Sequence, residues 1–315
     1  MTNDKENHMK EKKYIDVEFC KVGNDAAAFV EVAYTGKNKR SYRGLMMLDT
    51  GSNINVVFGK MAEDVELVLN PENEKVNEEV VGIRGTMEQM TQVCFPFTMG
   101  GDCFNEPFVL MNQRMDEMVV GELPVLGVLG NMFLQRYKLV VDYAEHSLHT
   151  STIVPKYFAI EECEYFYPMY LGLKYYGVPV VFVKKKEGDG DVVTLIDTGS
   201  ADNMTSHVAV ERYGLPYSMG DETFDLTGTG SSVTARKGKV EFCVMSFASE
   251  TQSSMNTYND DFMVVEQPVL LKIEGKDEDG DDLPPVEMLL GSVFLGREGW
   301  VLDFGVQAMY KRRAA

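Results

Sequence analysis

The tetrapeptide Asp49-Thr50-Gly51-Ser52 occurs twice in this chain, and its second copy is Asp197-Thr198-Gly199-Ser200. Each copy directly follows an apolar run, residues 45–48 in the first case and residues 192–196 in the second. A single Asp-Thr-Gly is an ordinary way to end a strand, because acidic residues, hydroxyls and glycines all favour turns. Two copies in matching contexts predict two equivalent loops, each of which presents one carboxylate.

The repetition extends over most of the chain. Residues 130–136 (GNMFLQR) align without a gap on residues 291–297 (GSVFLGR). Each stretch leads, at the same spacing, to an apolar-Asp-aromatic triplet, Val141-Asp142-Tyr143 in one half and Leu302-Asp303-Phe304 in the other. The sequence therefore predicts that one fold unit is present twice.

A third and looser match lies between these landmarks, at residues 81–86 (VGIRGT) and 227–231 (TGTGS). Glycines among β-branched and polar residues, followed by an alternating segment, predict the tip of a hairpin. A plain connection between strands is the alternative, since glycine-rich tips are common in β proteins. The candidate tip residues are Gly82, Ile83, Arg84 and Gly85 in the first half and Gly228, Thr229 and Gly230 in the second.

The order of these motifs resembles that of the aspartic proteases. After the aspartate and the hairpin, each half has two apolar residues and a glycine, Val128-Leu129-Gly130 and Leu289-Leu290-Gly291, and the resemblance covers nearly the whole chain after residue 13. It implies an all-β, bilobal fold in which each apolar-apolar-glycine strand passes under an aspartate loop. It also implies that the two aspartates meet at a pseudo-two-fold axis, with Thr50 and Thr198 holding the loops together across it.

Some details are similar to one branch of that family and some to another. Two lobes in one chain are similar to pepsin, whereas Phe-Leu after the glycine and a flap candidate in both halves are similar to the retroviral enzymes. The first hairpin has no tyrosine of the kind that pepsin-like flaps carry. These departures bear on flap contacts and substrate preference.

The chemistry expected of Asp49 and Asp197 is peptide hydrolysis. A base must activate water and an acid must protonate the carbonyl oxygen, and two close carboxylates that share one proton can do both. Gly51 and Gly199 are expected to let the backbone turn tightly and to bring amides near the carboxylates. Ser52 and Ser200 are expected to donate to the aspartates, which would lower their pKa values and extend activity toward acidic pH.

The length and composition suit a two-lobed β protein. With 315 residues, of which 44% are hydrophobic, the chain exceeds one average domain. Short apolar stretches punctuated by Gly, Asn and Asp predict many short strands. We predict a disordered N-terminus (residues 1–13), an N-terminal lobe (14–150), a connection (151–164), a C-terminal lobe (165–310) and a C-terminal tail (311–315).

The charge and the histidines limit the partners and cofactors. The formal net charge of −19 argues against nucleic acid, since phosphate binding needs a basic face. Acidic runs at residues 187–191 and 277–282 predict solvated loops. The four histidines have no metal-ligand spacing, so we expect no metal and no cofactor. No apolar run approaches the length that spans a membrane.

The five cysteines are odd in number and scattered, which favours reduced thiols and a cytoplasmic location. A Cys94–Cys103 disulfide across a hairpin is the alternative pairing. Removal of a signal peptide would leave the same sequence features in a secreted or periplasmic protein.

We therefore predict a monomeric aspartic endopeptidase that binds an extended polypeptide between its lobes, under one or two of the candidate hairpins, whose tip residues are the predicted substrate-binding residues. Asp49 and Asp197 are the predicted catalytic residues, whereas Asp142 and Asp303 are expected to be structural. Two alternatives stay open: a non-catalytic binding or inhibitory protein on the same scaffold, and a symmetric dimer of such chains.

Overall fold

The structure is a computed structural model that describes residues 14–20, 27–59, 62, 67, 70–71, 91–111, 119–120, 122–153, 163–169, 171, 177–184, 191–228, 231–249, 252–266, 270 and 284–312. Several predicted features lie outside these residues: the N-terminus 1–13, the first hairpin tip at residues 82–85, Thr229 and Gly230 of the second tip, and both acidic runs apart from Asp191.

The described residues form mostly strands. In chain order the elements are β1 (Asp16–Glu18), β2 (Phe29–Thr35), β3 (Ser41–Leu48), β4 (Val56–Phe58), β5 (Asn70–Pro71), β6 (Thr91–Met99), β7 (Asp102–Met111), β8 (Val119–Val120), β9 (Leu123–Leu129), α1 (Asn131–Arg136), β10 (Leu139–Asp142), β11 (Ser147–Thr150), β12 (Cys163–Pro168), β13 (Val180–Lys184), β14 (Val192–Asp197), β15 (Asn203–Ser206), α2 (His207–Tyr213), β16 (Tyr217–Gly228), β17 (Ser231–Ser249), β18 (Gln252–Val265), β19 (Met288–Gly291), α3 (Ser292–Glu298), β20 (Val301–Asp303) and β21 (Ala308–Arg312).

Each half of the chain builds one sheet, and the two sheets have the same strand order. The N-terminal sheet runs β2-β3-β9-β4-β7-β6-β5, with β8 paired to β9, and the C-terminal sheet runs β13-β14-β19-β15-β18-β17-β16. β3 and β14 are apolar over several consecutive residues because each lies between two strands and is buried on both faces.

In each sheet one strand passes between the two strands that flank an aspartate loop. β9 is parallel to β3 and antiparallel to β4, so the chain leaves β3 and returns on the other side of β9. β19 lies between β14 and β15 in the same way. A side chain at Gly127 would collide with the carbonyl oxygen of Val56, so this crossing requires glycine where β9 meets β4.

A third sheet joins the lobes, in the order β1-β11-β10-β20-β21-β12. Its central strands β10 and β20 are antiparallel, and Val141 lies opposite Leu302. These two residues are equivalent in the sequence repeat, so the pseudo-two-fold axis passes between them. The predicted all-β, bilobal fold with an internal repeat is confirmed. β12 begins inside the expected connection, and β21 extends through Arg312 into the expected tail.

Two predictions about hairpins are resolved by strand register. β16 and β17 are antiparallel, with Gly228 opposite Ser231, so the second glycine motif does stand at a hairpin tip. In the hairpin of β6 and β7, Cys94 lies opposite Pro107 and Cys103 lies opposite Thr98. The alternative of a Cys94–Cys103 disulfide is wrong, because the register separates the two cysteines along the strands.

Candidate active site

Each aspartate lies where a buried strand, β3 or β14, ends. Beside it is the crossing strand, β9 or β19, which passes between the two strands that flank the aspartate loop. The amide of Asp49 donates to the carbonyl oxygen of Leu129 at 3.1 Å, directly after β3. Asp197 is the last residue of β14 and pairs with Gly291 of β19. The apolar runs and the apolar-apolar-glycine motifs thus place the two carboxylates at equivalent points of the two lobes.

Thr50 and Thr198 connect the two loops through four hydrogen bonds. The amide of Thr50 donates to Oγ1 of Thr198, and the amide of Thr198 donates to Oγ1 of Thr50, both at 3.0 Å. Each hydroxyl in turn donates to a carbonyl oxygen of the other lobe at 2.6 Å, that of Ile196 for Thr50 and that of Leu48 for Thr198. Both threonines are fully buried, so the bonds are shielded from water.

The loops bring the carboxylates of Asp49 and Asp197 together, close enough for each to change the pKa of the other. Each carboxylate also lies against the glycine of the opposite loop. A Cβ atom added to Gly51 would stand 2.6 Å from the carboxylate of Asp197, and one added to Gly199 would collide with the carboxylate of Asp49. Glycine is required at both positions because the opposing carboxylate occupies the space of a side chain.

Backbone amides, and not serine hydroxyls, donate to the aspartates. Oδ1 of Asp49 accepts from the amide of Ser52 at 3.1 Å, and Oδ1 of Asp197 accepts from the amide of Gly199 at 2.9 Å. The hydroxyl of Ser52 donates instead to the carbonyl oxygen of Ile54 at 2.8 Å. The hydroxyl of Ser200 likewise donates within its own loop, at 2.9 Å. The prediction that these hydroxyls donate to the aspartates is therefore wrong.

The pKa values of both aspartates are raised, which corrects the expected lowering. Burial is the largest cause, and the charge of Asp197 raises the pKa of Asp49 further, well above its ordinary range. Burial also raises the pKa of Asp197, against the lowering effect of the hydrogen bonds from Asp49 and from nearby amides. Two carboxylates this close cannot both ionise cheaply, so the pair keeps one proton well into the pH range where an isolated aspartate is ionised.

One asparagine that the sequence analysis missed lies at the far end of each loop. Asn55 and Asn203 are buried, and their side-chain oxygens accept from the amides of Gly130 and Gly291 at 3.0 and 2.9 Å. A signal for them exists in the sequence, because each follows its aspartate at the same spacing, as Asp-Thr-Gly-Ser-x-x-Asn.

The helices that follow the crossing strands also support the loops. The side chain of Asn131 donates to the carbonyl oxygens of Thr50 and Ser52. Its equivalent in the other lobe, Ser292, donates to the carbonyl oxygen of Ser200 at 3.0 Å. The first loop is therefore held by an amide with two hydrogen bonds and the second by a hydroxyl with one.

The last turn of each helix carries an arginine that pairs with a buried carboxylate. Arg136 pairs with Glu106, and Arg297 pairs with Asp260 through two hydrogen bonds of 2.8 and 2.9 Å. Burial acts to raise the pKa of Asp260, but the hydrogen bonds from Arg297 and its other donors hold that pKa below its ordinary value. Both pairs occupy equivalent positions beside the aspartate loops.

Asp142 and Asp303 lie in the sheet between the lobes, as expected for structural residues. Asp142 pairs with Nη2 of Arg312 at 2.6 Å. Asp303 accepts from the hydroxyl of Ser151 at 3.0 Å and from the amide of Gly305 at 2.7 Å. Neither carboxylate belongs to the aspartate pair.

The hairpin candidates stay predictions as substrate-binding elements. Gly228 ends β16 at the hairpin tip, and the remaining candidates lie outside the described residues. In the described part of the chain, no group of three or more His, Cys, Asp or Glu side chains is arranged to hold a metal ion. The same residues include no helix with the length and apolarity needed to cross a bilayer.

No protein-family model matches this chain, and no curated protein matches it either. Among solved structures, it is similar to an aspartic proteinase from Irpex lacteus, at 12% identity and a TM-score of 0.49, over 96% of this chain and 98% of that one. It is also similar to conglutin gamma, a basic 7S globulin from lupine seeds, at 9% identity and a TM-score of 0.48, over 97% of this chain and 96% of that one. At these values the similarity carries no information on activity or substrate.

Proposed function

We propose that this protein is an aspartic endopeptidase in which Asp49 and Asp197 act as the catalytic pair. One observation carries the proposal: reciprocal threonine bonds join two equivalent loops, so that each aspartate carboxylate lies against the glycine of the opposite loop and both carboxylates have raised pKa values. Structural turn aspartates do not require such an arrangement. A pair of carboxylates that shares one proton is suited to act as base and acid in the same step.

In the proposed reaction, the ionised member of the pair takes a proton from a water molecule as the water attacks the peptide carbonyl carbon. The protonated member gives its proton to the carbonyl oxygen, which forms a tetrahedral diol. Breakdown of the diol then expels the amine, which takes a proton from the pair, while one diol hydroxyl returns a proton to the pair and becomes the carbonyl of the new carboxyl group. The raised pKa values favour this chemistry because they keep one carboxyl protonated at mildly acidic pH.

The proposed substrate is an extended polypeptide bound between the lobes. Gly228 lies at the tip of the β16–β17 hairpin, and β16 is the last strand of its sheet. The edge of such a strand can bind an extended peptide through backbone hydrogen bonds. We propose that the enzyme works as a monomer, since one chain supplies both aspartates and both central strands of the shared sheet. The scattered cysteines favour the cytoplasm as its compartment.

The test is cleavage of a diverse peptide mixture from about pH 3 to 8 by the wild type and by Asp197→Asn. This substitution keeps the shape of the side chain and removes the shared proton. Asp16→Asn, at an exposed position of β1, is the matched control. We expect the wild type and the control to cleave and Asp197→Asn to lose activity. Absence of cleavage by the wild type, or equal cleavage by all three proteins, would overturn the proposal.

A further inference from the structure

The two asparagines at the ends of the aspartate loops share two side-chain contacts. Oδ1 of Asn55 accepts from the amide of Gly130 at 3.0 Å, and its Nδ2 donates to the carbonyl oxygen of Pro107 at 3.2 Å. The backbone carbonyl of Asn55 also accepts from the amide of Val109 at 2.9 Å. One buried residue thus connects the loop to the crossing strand β9 and to β7.

Asn203 repeats the two side-chain contacts in the other lobe and adds a third. Its Oδ1 accepts from the amide of Gly291 at 2.9 Å, and its Nδ2 donates to the carbonyl oxygen of Asp261 at 3.1 Å. Nδ2 also donates to the carboxylate of Asp260 at 3.0 Å, and Asp260 is held by Arg297. The second loop therefore reaches a buried ion pair through its asparagine.

At neutral pH, where a carboxyl group is ionised and cannot donate, an amide side chain is needed to satisfy both side-chain contacts of Asn55. The amide of Gly130 needs an acceptor and the carbonyl of Pro107 needs a donor, and asparagine supplies one of each at adjacent atoms. The crossing strand must also lie close under the loop, because a side chain at Gly130 would collide with the carbonyl oxygen of Ile54. The asparagine therefore fixes the depth at which the strand passes beneath the loop.

The contacts form a closed path from each asparagine back to the aspartate loop. Gly130 leads into α1, whose first residue Asn131 donates to the carbonyl oxygens of Thr50 and Ser52. The amide of Asn131 also donates to the carbonyl oxygen of Ser52 at 2.8 Å. A change at Asn55 is therefore transmitted to the residues on either side of Gly51, which lies against the opposing carboxylate.

We propose that Asn55 and Asn203 are positioning residues that set the separation of the Asp49 and Asp197 carboxylates. Because Asn203 has the additional bond to Asp260, its replacement disturbs the pair more than replacement of Asn55. The kinetic consequence rests on the proposed peptidase activity. The geometric consequence does not, since the coupling between two carboxylates can be measured without a substrate.

The first test compares Asn55→Leu and Asn203→Leu with the wild type. Each substitution removes all side-chain hydrogen bonds of the asparagine, two at position 55 and three at position 203, and keeps the branched shape of the side chain. In ¹³C NMR titrations of the aspartate carboxyls, we expect the interval between the two steps of the pair to narrow, most in Asn203→Leu. On a cleaved peptide, we expect kcat to fall about ten- to a hundredfold with KM nearly unchanged, because misplacement of reacting groups lowers the rate of the chemical step.

Asn55→Asp provides a rescue that a purely structural role does not produce. An ionised carboxylate at position 55 faces the carbonyl of Pro107 and repels it, whereas a protonated one donates to that carbonyl and still accepts from Gly130. We expect kcat relative to the wild type to recover as pH falls. At position 203 the new carboxyl faces Asp260, so Asn203→Asp is expected to recover less.

Thr205→Val is the matched control. Thr205 lies two residues after Asn203 in β15, and the substitution removes a buried hydrogen bond of 3.1 Å from its hydroxyl to the carbonyl oxygen of Glu287. We expect a lower Tm but an unchanged interval between the two carboxyl steps.

The proposal is overturned if the pH interval between the two titration steps of Asp49 and Asp197 is the same in the wild type and in both folded asparagine variants. It is also overturned if this interval narrows equally in Thr205→Val. If the leucine variants do not fold, the aspartate variants decide by the same titration. If the wild type cleaves nothing, the proposed function fails while the titration still decides this inference.

Discussion

The hydroxyl of Thr50 accepts a hydrogen bond from the amide of Thr198 at 3.0 Å, and the hydroxyl of Thr198 accepts one from the amide of Thr50 at the same distance. The two residues are equivalent in the sequence repeat, so the pseudo-symmetry of the chain becomes a physical connection between its lobes. The carboxylates of the adjacent residues, Asp49 and Asp197, meet because these bonds hold their loops together.

We expect Thr50→Val to destabilise the protein and to lower activity. The substitution leaves the amide of Thr198 and the carbonyl of Ile196 buried without a partner, at about 1–3 kcal/mol for each group. Thr50→Ser keeps the hydroxyl and is expected to cost only about 1 kcal/mol, for the lost methyl group. Urea unfolding measures both free energies. Equal losses in the two variants would show that the hydroxyl has no special role.

We expect Gly51→Ala to reduce kcat about a hundredfold or more, because the new methyl group occupies the position of the Asp197 carboxylate and separates the pair. Gly220→Ala is the control, since a Cβ there meets only the carbonyl oxygen of Lys237, at 3.2 Å. Steady-state kinetics on one peptide substrate compares them. A Gly51→Ala enzyme as active as Gly220→Ala would contradict the described loop geometry.

The raised pKa values of Asp49 and Asp197 predict an activity optimum on the acidic side of neutrality. The rate falls as pH rises through the upper step of the pair, because the shared proton is lost. It also falls at the acid end, where a second proton binds to the base. A profile of kcat/KM against pH tests this, and a rate that rises only above neutrality would contradict it.

The same shift has a consequence for stability. A carboxyl whose pKa is raised on folding stabilises the native state below its unfolded pKa, and that contribution is lost as pH rises through the folded value. Above that value, Asp49→Asn is therefore expected to be more stable than the wild type. Urea unfolding at several pH values measures this difference, and it should shrink as the pH is lowered.

We expect Arg297→Met to cost about 1–3 kcal/mol at neutral pH, because it leaves the buried carboxylate of Asp260 without its main partner. The side chain of Arg297 is half exposed, which limits the value of the pair in the wild type. The pKa of Asp260 is lowered, so this stabilisation is present above its unfolded pKa and is lost as pH falls through the folded one. Unfolding of both proteins at neutral and at strongly acidic pH tests this, and a difference independent of pH would rule out the charge as its cause.

The position and number of the loop aspartates could be predicted from the sequence because the signal for each loop lies within a few neighbouring residues. Each Asp-Thr-Gly-Ser follows a run of apolar residues, and strands of this kind end in turns built from such residues. The asparagines were missed although their spacing repeats, because asparagine is common in loops and its partners Gly130 and Gly291 are distant in the chain. The ion pairs Arg136–Glu106 and Arg297–Asp260 were not predicted for the same reason, because the two residues of each pair lie on elements that are distant in the chain.

The assignment of the serines was wrong for a physical reason. Ser52 and Ser200 are close in sequence to the aspartates, but their hydroxyls are turned toward carbonyl oxygens two residues ahead. The orientation of a short side chain in a loop depends on the backbone angles of that loop, which the sequence does not specify.

By itself, the sequence determined that this protein consists of two copies of one β unit, each of which presents a single aspartate after a buried strand. Short-range preferences suffice for this, because strand burial and turn formation depend on neighbouring residues. Only the tertiary structure decided that the carboxylates touch, that each excludes a side chain from the opposite loop, and that their pKa values rise. These properties arise from contacts between residues nearly half a chain apart, and from the burial that such contacts produce.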